Sequence, residues 1–521
     1  MDTGLTSAVF FNGRFYTLGP GKKLAQALAA YGGRIVAVGT EREVRGAAPR
    51  GHDRIDLRGR TVIPAFCDSH THFIQMGLDS MCVDLTSTDS VDEALSLLRK
   101  AATSRPEGEW IIGSGWKESG WVKGRFLIRA DLDKCCPKHP VVAHRVCGHM
   151  SSVNSRAIAL LGIDRKTPDV DIDGNGRLTG ILKEGAVTIA RKATKPAKGD
   201  RAKGLELATK KAHSHGVTSI HDNGETADLT TYIEAEKRQK LRVRVYFNTP
   251  TDNLDGTIKT GMLTGMGSGL LRFGGVKVFC DGALGARTAA ISAAYADDPG
   301  NKGMFVRDRR AFEEVVSKAN DAGLQLAIHA IGDRGIQAAL DALRRALESS
   351  PREDHRHRVE HLELPSKEHL RTMSEKGIIA SMQPNFVGEW GGTEGMYVSR
   401  LGPDRTARNN PFREVLDAGV RLVFGSDCMP FSPVYGILSA VEAPYRAQRI
   451  SSLEAIRAYT RDASFASFEE RAKGTLTPGK VADLAVLSAD PFTNPETVAG
   501  LRVLKTVFAG KLVFEEKERR S

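Results

Sequence analysis

An apolar run, Thr61-Val-Ile-Pro-Ala-Phe-Cys-Asp-Ser-His-Thr-His72, stops where two histidines arrive two residues apart. Side chains at i and i+2 of a strand point to one face, so both imidazoles can grip one metal ion. Lys277, His329, His361 and Asp427 follow far downstream, each at or near the end of another β-like run. Only a fold that gathers strand ends assembles such a set. The C-terminal rim of a (β/α)₈ TIM barrel does so, collecting the ends of all eight strands.

The segments 61–66, 217–221, 242–247, 274–279, 324–329, 357–361, 377–382 and 421–426 supply eight candidate strands. Between several of them lie amphipathic helical stretches such as Arg310–Asn320 and Arg334–Glu348, with apolar residues at three- and four-residue spacing. Alternating strands and helices imply a parallel sheet. Ile111-Ile112 and Val141-Val-Ala-His144 are strand-like too, and are assigned to an insertion after barrel strand 1 that carries Trp110, Trp116 and Trp121.

Both chain ends read as strands and turns. Ala8–Thr17 carries an Asn12-Gly13 hairpin signal, and Ala482–Leu487 and Val503–Phe514 are β-like. One composite β-sandwich built from both termini follows. The expected organisation is sandwich 1–60, barrel 61–107, insertion 108–203, barrel 204–473 and sandwich 474–521.

The net charge of +11 raises a nucleic-acid reading, but it is spread along the chain without zinc-finger spacing or a basic heptad. No specific nucleic-acid partner is expected, and the role of that charge stays open. Seven scattered cysteines without a CxxC pair speak for a reducing compartment. No leader-like segment and no run near the length of a membrane span is visible, so the expectation is a cytoplasmic protein without a membrane partner. Its partner is a small-molecule substrate. Assembly into a homo-oligomer stays open.

Imidazole and carboxylate suit Zn²⁺ and related divalent ions. The expected centre holds two ions: His70, His72 and Asp427 on one, His329 and His361 on the other, and Lys277 spanning both. A buried lysine shifts its pKa down readily, and the neutral amine can take up CO₂ as a carbamate that bridges like a carboxylate. Water between the ions would attack a carbonyl, with Asp427 taking the proton and returning it to the leaving amine.

Blander readings compete. Lys277 could be a solvent-facing strand lysine, and Asp427 a helix cap. Glu184 is the rival for the bridging role. His149, Asp281, Arg287, Trp116 and His221 are candidate substrate contacts. For His221 a structural histidine, for the tryptophans packing within the insertion, and for Asp333 an N-cap are the alternatives.

Pro64-Ala-Phe-Cys-Asp-Ser-His-Thr-His72, Gly275-Val-Lys-Val-Phe-Cys-Asp-Gly282, Ile328-His-Ala-Ile-Gly-Asp333, Arg358-Val-Glu-His361 and Phe424-Gly-Ser-Asp427 resemble the amidohydrolase superfamily. They look most like its branch containing N-substituted formamide deformylases, with Ala65 where glycine is usual. Gly474–Leu484 is similar to the return into the composite sandwich. The resemblance implies a metal-dependent barrel that hydrolyses amide-type C–N bonds, here N-substituted formamides or other N-acyl compounds. A deaminase or cyclic-amide hydrolase could use the same site. A catalytically silent metal-binding scaffold is the reading from another class.

Overall fold

The computed structural model describes residues 7–21, 23–48, 51–118, 121, 124–145, 150–194, 198–493 and 495–517. The chain forms two compact units, one of residues 1–73 with 209–521 and one of residues 74–208.

The larger unit holds an eight-stranded parallel sheet, curled into a nearly closed barrel. Its strands, in chain order, are β1 (Phe66–Thr71), β2 (Val217–Asn223), β3 (Arg244–Pro250), β4 (Leu271–Phe279), β5 (Gln325–Ala330), β6 (Arg358–His361), β7 (Ile379–Met382) and β8 (Leu422–Phe424). Each pairs with its neighbour in that order. Nearly every strand residue is buried, as a sheet covered on both faces requires. Capped helices cover it: Asp308 accepts N–H groups at the start of Arg309–Asp321, and Ser366 does so for Lys367–Lys376.

β1 and β8 complete the ring without a ladder. Instead Asp427 N–H donates to the His70 carbonyl (2.8 Å), and Ser69 Oγ donates to the Phe424 carbonyl (2.6 Å). A Cβ on Gly425 would lie 2.3 Å from His70 N, so this seam admits only glycine.

The first barrel strand begins later than its apolar run suggests. Thr61–Pro64 pairs antiparallel with Leu484–Leu487 and parallel with Arg14–Tyr16, inside a six-stranded sheet built from both ends of the chain. After Pro64, which has no N–H to donate, Ala65 N–H turns to the Asp483 carbonyl and Phe66 opens β1. A four-stranded sheet of Arg34–Gly39, Ala27–Tyr31, Ser7–Phe11 and Asp53–Asp56 faces the first sheet across Phe10, Phe15, Leu28, Leu484 and Val507. The composite sandwich is therefore as the sequence suggests. Arg244, opening β3, fastens it to the barrel through a buried two-point ion pair with Asp483 (2.8 and 3.1 Å).

The second unit carries its own six-stranded sheet, in which Val141–Arg145 lies between Ile111–Trp116 and Met150–Val153. It takes in more than 108–203. The helix Val91–Thr103 turns Ala94, Leu98 and Ala102 onto Ile111, Trp116 and Val141, so this stretch packs with the insertion's sheet. No helix among the described residues is long and apolar enough to cross a membrane.

Candidate metal centre

At the C-terminal ends of the barrel strands, ligand atoms of His70, His72 and Asp427 come within 4.8 Å of one another. Asp427 Oδ1 is 3.4 Å from His72 Nε2 and 3.8 Å from His70 Nε2. The backbone is bent to achieve this. Asp68 pairs with Ile220 but Thr71 with Asp222, so β1 carries one residue more than its partner and bulges at Ser69–His70. His72 lies one residue beyond β1. His361 and Asp427 adopt φ of 72° and 51°, a left-handed conformation that costs on the order of 1–2 kcal/mol for a non-glycine residue. Strand alternation alone therefore does not aim these side chains.

Hydrogen bonds fix which nitrogen each imidazole offers. His72 Nδ1 donates to the Asn223 carbonyl (2.9 Å), which leaves Nε2 as a lone pair facing Asp427. His70 Nδ1 is held by Glu360 Oε2 at 2.5 Å, which likewise turns Nε2 toward the centre. Two imidazole nitrogens and a carboxylate converging on one point form a donor set that fits a divalent ion.

Lys277 points its Nζ to 3.4 Å from His70 Nε2 and is 4% exposed. Burial draws its pKa down to about 8, against the pull of Glu360 and Asp427. His329 and His361 meet edge to face with ring centroids 4.5 Å apart, and the His361 ring lies 4.8 Å from that of His70. His361 Nδ1 meets Gln383 Oε1 at 2.7 Å, leaving Nε2; His329 Nε2 donates to the Gly282 carbonyl at 3.0 Å, leaving Nδ1. Burial, reinforced by Lys277, pulls His329 down to about 3. Burial and the neighbouring His329 hold His361 well below the ordinary imidazole range. Both are neutral, as ligands must be.

Beneath the ligands runs a buried ion pair that sequence reasoning missed. Glu360 and Arg358 lie on β6 with no solvent exposure. Burial would push the Glu360 carboxyl up, but Arg358 and His70 hold it well below the carboxylate range. Ser381 on β7 donates to the same oxygen that holds His70 (2.8 Å). The signal is present: two opposite charges at i and i+2 of a barrel strand need a partner or each other.

Several sequence-based candidates fall elsewhere. His221 is fully buried, its Nδ1 2.8 Å from Arg358 Nη1 and its Nε2 3.5 Å from Cys67 Sγ, so it packs under the centre. Asp281 is also fully buried; it accepts the N–H groups of Ala290, Ile331 and Gly332 and so ties the loops after β4 and β5. Arg287 makes a two-point ion pair with Asp297. Asp333 is the first residue of its helix, behind the cap Gly332, and binds Ser292 N–H. Trp116 is buried in the core of the second unit, stacked on Trp121 with its Nε1 on the Ala143 carbonyl. Glu184 is exposed in the first turn of a helix of that unit, whereas Lys277 lies among the barrel ligands. His149 lies outside the described residues.

The comparisons agree with this geometry. The model of the amidohydrolase family matches residues 53–514. YtcJ amidohydrolase of Bacillus subtilis (strain 168) is 30% identical, with 98% of this chain aligned to 99% of that protein. N-substituted formamide deformylase of Arthrobacter pascens is 28% identical, over 98% and 99% of the two chains. An uncharacterized metal-dependent hydrolase from Pyrococcus furiosus superposes with a TM-score of 0.80 at 30% identity, covering 93% of this chain and 100% of that one. With the family matched over most of its length and a convergent ligand set at the barrel mouth, the chain belongs to the amidohydrolase family and is a hydrolase.

Proposed function

We propose that this hydrolase cleaves amide-type C–N bonds, with N-substituted formamides or other small N-acyl compounds as substrates. Lys277 carries the reading: a buried amine, softened by burial and placed between two histidine groups, is suited to bridge two ions. Its neutral Nζ adds to the carbon of CO₂, forming one N–C bond and releasing one N–H proton to solvent, and the resulting carbamate presents two oxygens. His70, His72 and Asp427 would hold one ion and His329 and His361 the other, with zinc favoured by the nitrogen and oxygen donors. A divalent ion bound there supplies Lewis acidity, lowering the pKa of water and polarising an acyl oxygen.

The protein's own groups handle the protons. Asp427 accepts one from the attacking water and returns it to the leaving nitrogen as the C–N bond breaks, yielding an acid and an amine. Glu360 keeps His70 Nε2 turned inward throughout. The similarity to N-substituted formamide deformylase over nearly both full chains favours the formamide class.

The test is metal content by plasma mass spectrometry, followed by a panel of N-formyl, N-acetyl, cyclic-amide and aminopurine substrates. Close to two ions per chain, falling to about one in Lys277→Ala, together with turnover of N-formyl or N-acyl compounds, is the expected result. A single ion in both proteins would remove the bridging role. Turnover of aminopurines alone would make the enzyme a deaminase, and no ion after reloading with zinc and bicarbonate would leave a scaffold.

A further inference from the structure

A half-open cleft of about 930 Å³ lies away from the metal centre, at the junction of barrel and sandwich. Arg421, one of its walls, directly precedes β8, whereas Asp427 follows it, so this cleft opens at the N-terminal end of the barrel. Nothing in hydrolysis at the C-terminal rim uses it.

Two of its walls carry unmet hydrogen-bonding capacity. Ser452 is only 4% exposed, and its Oγ has no partner among the described residues. The buried Nε of Arg457, five residues on, has none either. Burying such groups unpaired costs roughly 1–3 kcal/mol each, more when charged, and native proteins rarely leave them so. The other cations of the cleft are answered within the fold: Arg421 and Arg461 both donate to Asp462 (2.8 and 3.1 Å), and Lys480 donates to the carbonyls of Glu470 and Lys473. Arg457 and the exposed Lys23 are left as surplus positive charge, without an ion-pair partner among the described residues.

Water could satisfy a hydroxyl and a guanidinium, but it does not account for the apolar side of the cleft. Tyr16 and Phe492, half-buried with ring centroids 4.0 Å apart, line the same space. A surplus guanidinium, a buried hydroxyl and an aromatic wall are complementary to an anionic head on a flat apolar body. We propose that this cleft is a second ligand site, and that it binds a small aromatic organic anion through Arg457 and Ser452.

The probes are phenylphosphonate and benzoate, titrated calorimetrically into the full-length, metal-loaded protein, with inorganic phosphate and benzyl alcohol as controls for the head and the ring. At least one aromatic anion should bind in the millimolar range or tighter, at least about tenfold better than either control. Arg457→Gln should weaken that binding by about tenfold or more, while metal content and melting temperature hold. Whichever of the two acids binds better identifies the head group. Binding that survives Arg457→Gln belongs to another site and overturns the proposal, as does no binding up to about 10 mM. Should Arg457→Gln fail to fold, Ser452→Ala and Phe492→Leu replace it, and unchanged binding in both overturns the proposal equally.

Discussion

His70 donates its Nδ1–H to Glu360 Oε2 across 2.5 Å, with both residues sealed from solvent. Such a partner fixes both the tautomer and the orientation of a ligating imidazole, and its loss typically costs about 10–100-fold in metal affinity. Glu360→Gln should therefore weaken metal binding by about that factor in a chelator competition titration. Unchanged affinity would reduce the Arg358–Glu360 pair to a purely structural role.

Asp427 is the one carboxylate among the converging ligand atoms, and the proposed chemistry asks it to carry a proton as well. Asp427→Asn keeps the shape and removes the base. Steady-state kinetics should give a kcat lowered by roughly 10²–10⁴-fold on any substrate turned over. A smaller loss, with metal content intact, would move the base elsewhere.

Arg244 and Asp483 bridge barrel and sandwich with side chains only 8% and 7% exposed. Removing one member strands the other as a buried charge, so Asp483→Ala should destabilise the fold by roughly 3–5 kcal/mol in a denaturant titration. Arg244→Met with Asp483→Leu should lose much less than the two single losses added together.

His357 accepts the Leu326 N–H on Nδ1 (3.1 Å) and has Asn320 Oδ1 on Nε2 (3.0 Å), an arrangement that requires the neutral ring. Burial first, then His355 and Arg352, hold its pKa well below the ordinary value. The unfolded histidine, near 6.5, then binds a proton that the folded one refuses. Its contribution is complete above about pH 6.5 and declines as pH falls below that value. Melting temperatures of the wild type and His357→Asn should converge between pH 7 and pH 5. Parallel curves would mean that His357 titrates normally.

Gly425 leaves no room for a methyl group against His70 N. Gly425→Ala should cost about 1–3 kcal/mol by overpacking and should also displace a ligand, so metal affinity and melting temperature fall together. A fall in stability alone would show that the seam yields on the β8 side.

What was readable in the sequence was whatever local chemistry announces. His70, His72, Lys277, His329, His361 and Asp427 stand out because polar groups end apolar runs, and the structure puts all six at one end of the barrel. The composite sandwich was readable from β-like ends. Pairings across the barrel were not: Glu360 reaches His70 only through closure of the ring, and Asp281 turns from rim to interior because three backbone N–H groups claim it. The start of β1 is hidden in the sequence because Thr61–Cys67 is continuously apolar or small, while Pro64 quietly divides it between two sheets.

The ring of strands is joined by a ladder everywhere except between β1 and β8, and His70 and Asp427 stand on opposite banks of that gap. An ion gripped by both would act as a clasp on the barrel's weakest join. Chelation should then be felt as local unzipping before global unfolding, with the Asp427 and Ser426 amides exchanging first while the sandwich, sewn from both ends of the chain, stays shut. The same two residues would thus couple the enzyme's readiness for chemistry to the mechanical integrity of its scaffold.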